Sequence, residues 1–166
     1  MKRQLTSRRY FQTINLTYYM QAFSLLLFSV VIFILIYGSD KSTAPAADIQ
    51  WVYVLPVVLI IGLGSAWFLF RAMVNRIDPK ARLQDKFPKY ASALILRSAL
   101  LELPGLLAGI VAYLTFEPFY LGGAFMIFLA FVLLRPTRHT IAEDLNLSPK
   151  ERALIENPDA VVSEVN

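Results

Sequence analysis

The fold is decided by residues 16–37, LTYYMQAFSLLLFSVVIFILIY, a run of 22 residues that contains no Asp, Glu, Lys or Arg. A helix of about 20 apolar residues matches the hydrocarbon core of a bilayer, which is about 30 Å thick. The run is also longer than the core of a secretory signal peptide, about 7 to 15 residues. We therefore predict a membrane-crossing helix here. A signal peptide cleaved near Ala44-Pro45-Ala46 is the alternative.

Three further apolar runs follow, at residues 49–70, 90–116 and 118–134. The last is short for a crossing, so we expect it to stand nearly upright or to thin the bilayer locally. Open strands cannot cross lipid, because their backbone groups would have no hydrogen-bond partners there. The fold class that these runs predict is all-α, a transmembrane four-helix bundle.

The overall composition agrees with a membrane protein. The chain has 166 residues, of which 57% are hydrophobic and 17% charged, whereas a typical soluble domain carries about 25% charged residues. There is no cysteine and His139 is the single histidine, so a haem or zinc site within one chain would have too few strong ligands. We predict no cofactor, no metal site and no catalytic residue.

The basic residues predict the orientation of the chain in the membrane. Of the 16 Lys and Arg residues, four precede the first span, six lie between residues 71 and 89, and four follow the fourth span. Short loops rich in Lys and Arg stay in the cytosol. We therefore predict that both termini lie in the cytosol, with anionic lipids bound at the cytosolic face. The same distribution gives no reason to expect a nucleic acid partner.

We divide the chain into a transmembrane domain, residues 1–136, and a cytosolic tail, residues 137–166. In the central loop, Asp78 followed by Pro79 predicts the start of a short cytosolic helix. We expect Pro88 to separate this helix from the third span.

The tail contains Ser148, Pro149 and Glu151, the spacing of a helix capping box. It predicts a second short cytosolic helix. The tail is either partly ordered, or docked on the central loop or on a partner.

The third span carries an acidic residue at depth. Glu102 follows Tyr90 by 12 residues, or about 18 Å along a helix, which places it near the bilayer midplane. A charge there costs about 2.5–3.5 kcal/mol on the lenient insertion scale. We therefore expect Glu102 to face protein or water, and to be protonated or hydrogen-bonded.

Small residues share the helix face of Glu102. Gly105 and Gly109 follow it at i+3 and i+7, and Ser98 and Ala112 lie nearby on the same stripe. Small side chains let another helix approach closely. We predict that this stripe forms the tightest helix contact in the molecule.

Three other residues could contribute polar groups to this region. Pro104 cannot donate a backbone hydrogen bond, so it predicts a bend within one turn of Glu102. Arg97 lies about 140° around the helix from Glu102 and cannot pair with it well; it either reaches the cytosolic headgroups or bonds Gln21 or Tyr18. Gln21 aligns with Arg97 in a weak repeat of 76 residues, which chance matches explain equally well.

Two segments resemble a known group of proteins. The first lies within residues 89–104 and consists of Lys89-Tyr90, Ala93-Leu94-Ile95, Arg97, Ala99-Leu100-Leu101-Glu102 and Pro104. The second is Arg135-Pro136-Thr137, after the last span. Together they are similar to small four-span bacterial membrane proteins of uncharacterised function, a resemblance that extends over about half the chain. It implies a bacterial inner-membrane setting and no particular activity.

These patterns lead to two functional hypotheses. The first is a non-enzymatic membrane scaffold or accessory subunit, forming a homo-oligomer or binding a partner membrane subunit. The second is a proton- or ion-coupled carrier or channel that uses Glu102 with Arg97. An enzyme is disfavoured because no nucleophile with a base and no paired intramembrane carboxylates are present.

Overall fold

The computed structural model describes residues 3–38, 50–157 and 160–165. Its elements, in chain order, are β1 Arg3–Thr6, α1 Ser7–Gly38, α2 Gln50–Val74, α3 Leu83–Thr115, a 3₁₀ turn Pro118–Tyr120, α4 Leu121–Leu133, α5 Arg138–Asp144, α6 Pro149–Glu156 and β2 Val161–Val165. The predicted connection at residues 39–49, with the Ala44-Pro45-Ala46 motif, lies outside the described residues.

Three helices, α1, α2 and α3, are long and apolar enough to cross a membrane. Residues 118–133 with α5 form a fourth candidate if this pair, bent by 81°, is counted as one span. Large apolar side chains on these helices, such as Ile60, Phe68 and Phe125, are exposed, as lipid contact requires. The prediction of a helical chain with several membrane-spanning helices is confirmed, and the number of candidate spans is three to four.

Helix α3 lies at the centre of the helix packing and contacts α1, α2 and α4. Small residues in α3 make these contacts close. Ala108 and Ala112 are fully buried, and a Cβ placed on Gly123 of α4 would lie 3.0 Å from the Cβ of Ala108. The residues of α3 therefore lie between the other helices, and Glu102 and Arg97 belong to this central helix.

The connection between α2 and α3 differs from the prediction. Asp78 does not begin a helix: its side chain accepts a hydrogen bond from the Lys80 amide, and its carbonyl accepts one from Ala81. The chain makes turns here and then enters α3 at Leu83, which runs through Pro88 without a break. The predicted helix break at Pro88 is wrong. Proline has no amide N–H to donate within the helix, but the first turns of α3 are buried, and this packing keeps the helix continuous.

Both chain ends lie at the same end of the helix packing. β1 pairs with β2 in antiparallel register, with Arg3 opposite Val165 and Leu5 opposite Ser163. This pairing was not predicted, because two short strands carry little sequence signal without their partner. The Ser7 hydroxyl extends the contact by donating to the carbonyl of Ile155 in α6 at 2.8 Å.

The tail is docked on the first turns of α3. Helix α6 begins at the predicted Ser148 cap, whose capping box with Glu151 is formed. Glu151 also accepts a hydrogen bond from the fully buried Lys86 at 2.9 Å. Burial alone would raise the pKa of Glu151, but hydrogen bonds from Lys86 and Ser148 outweigh it and hold the pKa below its ordinary value of 4.5.

Candidate intramembrane polar site

Glu102 lies in the groove between α3 and α1. Its side chain is half-buried, and Oε1 accepts a hydrogen bond from the hydroxyl of Ser24 on α1 at 2.5 Å. Ser24 itself is exposed and is also 2.9 Å from the carbonyl oxygen of Gln21. The acid thus faces a neighbouring helix at the rim of the groove. No partner for Glu102 could be predicted, because the serines of α1 resemble other residues of a membrane span.

The polar groove continues along α1 towards its N-terminus. A cavity of about 90 Å³ lies between α1 and α3, and its lining includes Thr13, Thr17, Gln21 and Ser98. The Ser98 hydroxyl donates to the carbonyl of Leu94 in its own helix. The side-chain oxygen of Gln21 is buried and has no hydrogen-bond partner among the described residues. We call the surface formed by Thr13, Thr17, Gln21, Ser24 and Glu102 the α1–α3 groove.

The glycines of the predicted stripe face α1. A Cβ on Gly105 would lie 2.9 Å from Cδ2 of Leu25, and a Cβ on Gly109 would lie 2.5 Å from Cε1 of Phe28. Both glycines are therefore places where α1 side chains come too close for a methyl group. Pro104 points elsewhere and packs against Gly62 of α2.

Arg97 lies on another face of α3 and does not pair with Glu102. It is 9% exposed, and its Nη2 donates to the carbonyl oxygen of Leu134 at 2.7 Å. Its guanidinium carbon is 4.3 Å from the centre of the Phe70 ring, a favourable cation–π distance. The alternative in which Arg97 extends to the headgroups does not match this buried position.

Tyr18 and Arg97 donate hydrogen bonds to backbone carbonyls at the C-terminal end of α4. The Tyr18 hydroxyl donates to the carbonyl of Phe131 at 2.8 Å. Carbonyls in the last turn of a helix have no partner within the helix, and Pro136, which follows closely, has no amide to offer. The two side chains supply the missing donors. Tyr18 is 1% exposed and therefore lies inside the helix packing.

Other polar residues near Arg97 could not be assigned from the sequence. Asp144 of α5 accepts hydrogen bonds from Arg71 at 3.0 Å and from the Tyr90 hydroxyl at 3.1 Å. These partners are separated by more than 50 residues, and no motif joins them. Within the described part of the chain, no group of three His, Cys, Asp or Glu side chains could hold a metal ion.

Comparisons with protein-family models, curated proteins and solved structures find no match to the chain.

Proposed function

We propose that the chain is a four-span protein of the bacterial inner membrane with both termini in the cytosol. The pairing of β1 with β2 supports an even number of crossings, because it holds the two chain ends on one side. The ion pairs Arg71–Asp144 and Lys86–Glu151 attach the tail to the ends of α2 and α3. These contacts agree with the side that the basic residues favour.

Residues 118–134 make the fourth crossing in this proposal. Helix α5 begins with Arg138 and His139 and ends with Glu143 and Asp144. Such charges are too costly for the hydrocarbon core. The bend of 81° before α5 supports a position for this helix along the cytosolic surface.

Single cysteines test this topology cleanly, because the chain has no native cysteine. Lys80→Cys reports on the α2–α3 connection and Glu117→Cys on the α3–α4 connection; both residues are exposed. A membrane-impermeant maleimide added to spheroplasts should label Glu117→Cys at once and Lys80→Cys after permeabilisation. Labelling of both positions in intact spheroplasts would contradict the proposal.

We further propose that the protein is a non-enzymatic scaffold or accessory subunit that binds another membrane helix in the α1–α3 groove. The observation that carries this proposal is the groove itself. It places exposed Thr17 and Ser24 and half-buried Glu102 along one outer surface of an otherwise apolar helix pair, next to the buried and unpartnered oxygen of Gln21. Polar groups facing acyl chains are costly, and polar side chains commonly hydrogen-bond between membrane helices.

Photo-crosslinking in intact membranes tests this assignment. A benzophenone amino acid replaces Thr17 in the groove or, as a matched control, Ile61 on the exposed face of α2. We expect position 17 to give one discrete protein adduct and position 61 to give none. An adduct of twice the chain mass would identify a homo-oligomer, and any other mass a partner subunit. Absence of a protein adduct at position 17 would contradict the accessory role.

A proton- or ion-coupled carrier is the second candidate. It is favoured by the row of polar residues that leads along α1 from Thr13 to Glu102. Beyond Glu102 the same interface is closed by Leu25 and Phe28, which pack on Gly105 and Gly109. Access to the acid from both sides would therefore require a rearrangement of α1. The groove as it stands favours the accessory role.

One substitution separates the two candidates. Glu102→Gln keeps a hydrogen-bonding side chain opposite Ser24 but removes a titratable group. A carrier with this variant should lose proton-coupled flux in proteoliposomes, whereas an accessory subunit should retain its crosslink at position 17. Glu117→Gln, an exposed acid outside the groove, is the control and should change neither measurement.

A further inference from the structure

A second polar cavity lies at the opposite side of α3 from the Glu102 hydrogen bond to α1. This cleft has a volume of about 210 Å³ and is bounded by the end of α2, by α3 and by the bend between α4 and α5. Its lining includes Trp67, Arg71, Tyr90, Arg97, Arg135 and Asp144. It shares no lining residue with the cavity beside Gln21.

The cleft brings three guanidinium groups together with two acids. Asp144 is engaged by Arg71 at 3.0 Å, and Glu143 lies 3.1 Å from His139. Arg97 is more than nine-tenths buried, and its Nε has no hydrogen-bond partner among the described residues. Arg135 is exposed at the edge of the cleft. Asp144 is therefore paired with Arg71, whereas the donors of exposed Arg135 face the cleft without a partner among the described residues.

We propose that this cleft binds a phosphate group, with Arg97 and Arg135 as its main donors and Arg71 as a third positive charge. Guanidinium groups suit this role because their N–H groups match the spacing of phosphate oxygens. The inference does not depend on the accessory role of the α1–α3 groove.

The surroundings of the cleft allow two sources for the phosphate. Trp67 and Leu133 line it and are exposed, at 60% and 81%, so the headgroup of an anionic lipid could enter with its acyl chains beside these apolar surfaces. A soluble phosphate compound offers the same group from the cytosol. Separate measurements with lipid and with soluble phosphate distinguish the two sources.

The lipid arm uses the full chain in nanodiscs that contain phosphatidylglycerol in a phosphatidylcholine matrix. Native mass spectrometry measures how much phosphatidylglycerol stays bound to the released protein. Arg135→Gln removes a donor at the rim without touching the buried hydrogen bond of Arg97. We expect it to weaken retention about tenfold, the usual effect of losing one charged hydrogen bond. The matched control Arg76→Gln removes an equal charge from the exposed α2–α3 connection and should retain lipid as the wild type does.

The soluble arm measures the melting temperature of delipidated protein in detergent with and without inorganic phosphate. A rise in the wild type and in Arg76→Gln, but not in Arg135→Gln, supports the site with a soluble ligand. Arg97→Lys keeps the buried charge but loses the planar fork, so it should weaken binding in whichever arm is positive. Equal retention and equal melting shifts in Arg135→Gln and Arg76→Gln would overturn the proposal, since binding would then reflect general surface charge.

Discussion

At the scale of single residues, the contact of Gly62 with Pro104 explains how α2 and α3 pack so closely. A Cβ on Gly62 would lie 2.6 Å from Cγ of Pro104 and within 3.3 Å of two other atoms of the proline ring. The ring is rigid and cannot swing aside as a long side chain can. Pro104 therefore fills the space that a missing side chain leaves on α2.

We expect Gly62→Ala to destabilise the protein by about 1–3 kcal/mol, the usual cost of overpacking a well-filled interior. Reversible unfolding in mixed micelles measures the change in the free energy of unfolding. Gly64→Ala is the control on the same helix, because its Cβ would meet nothing within 4 Å. It should leave stability unchanged or raise it slightly, since alanine is the better helix former. Equal losses in the two variants would show that the contact with Pro104 is not the cause.

At the scale of elements, the end of α4 depends on donors from two other helices. Tyr18 of α1 reaches the carbonyl of Phe131, and Arg97 of α3 reaches that of Leu134. Both bonds close off backbone groups that would otherwise be exposed to an apolar environment. The short helix α4 is therefore held at its C-terminal end by hydrogen bonds as well as by packing.

Tyr18→Phe should lower the free energy of unfolding by about 1–3 kcal/mol, because the buried carbonyl of Phe131 would lose its side-chain donor while packing is kept. The neighbouring Tyr19→Phe is the control, since Tyr19 is 48% exposed. Unfolding in mixed micelles again provides the measurement. If both variants are as stable as the wild type, the hydroxyl of Tyr18 does not support α4.

The helices could be predicted from the sequence because their lengths follow from the thickness of a bilayer. The capping box at Ser148 was equally predictable, since it is a local pattern of side chains and amides. The predicted helix break at Pro88 was wrong because packing around the residue decides whether a proline ends a helix. The residues that bury the neighbours of Pro88 are distant in sequence, so this packing could not be predicted. The partners of Arg97 and Glu102 were also hidden, because a backbone carbonyl or a lone serine carries no signal of its own.

At the scale of the whole molecule, the tail connects both ends of the chain to the first turns of α3. Ser7 bonds the carbonyl of Ile155, Lys86 bonds Glu151, and Arg138 donates to the carbonyl of Glu156. Docking of α6 therefore joins regions that are distant in sequence at one end of the helix packing. Within this arrangement, Glu151 has a pKa below its ordinary value because Lys86 and Ser148 donate hydrogen bonds to it.

Docking of α6 should depend on pH through Glu151. Because its pKa is lowered in the folded protein, the ion pair contributes its full stability above the unfolded value of about 4.5 and loses it as the pH falls through the folded pKa. Glu151→Gln keeps the capping box, which accepts Gln, but leaves the buried Lys86 without a carboxylate. We expect this variant to destabilise docking by about 1.5–3 kcal/mol at neutral pH.

Hydrogen exchange of residues 149–156, corrected for intrinsic rates and followed by mass spectrometry between about pH 7 and pH 3, measures this effect. The wild type should lose protection in the acid range, whereas Glu151→Gln should start with less protection and change little there. Glu156→Gln alters an exposed acid of the same helix and should follow the wild type. A wild-type-like acid loss in Glu151→Gln would show that Glu151 is not the source of the pH dependence.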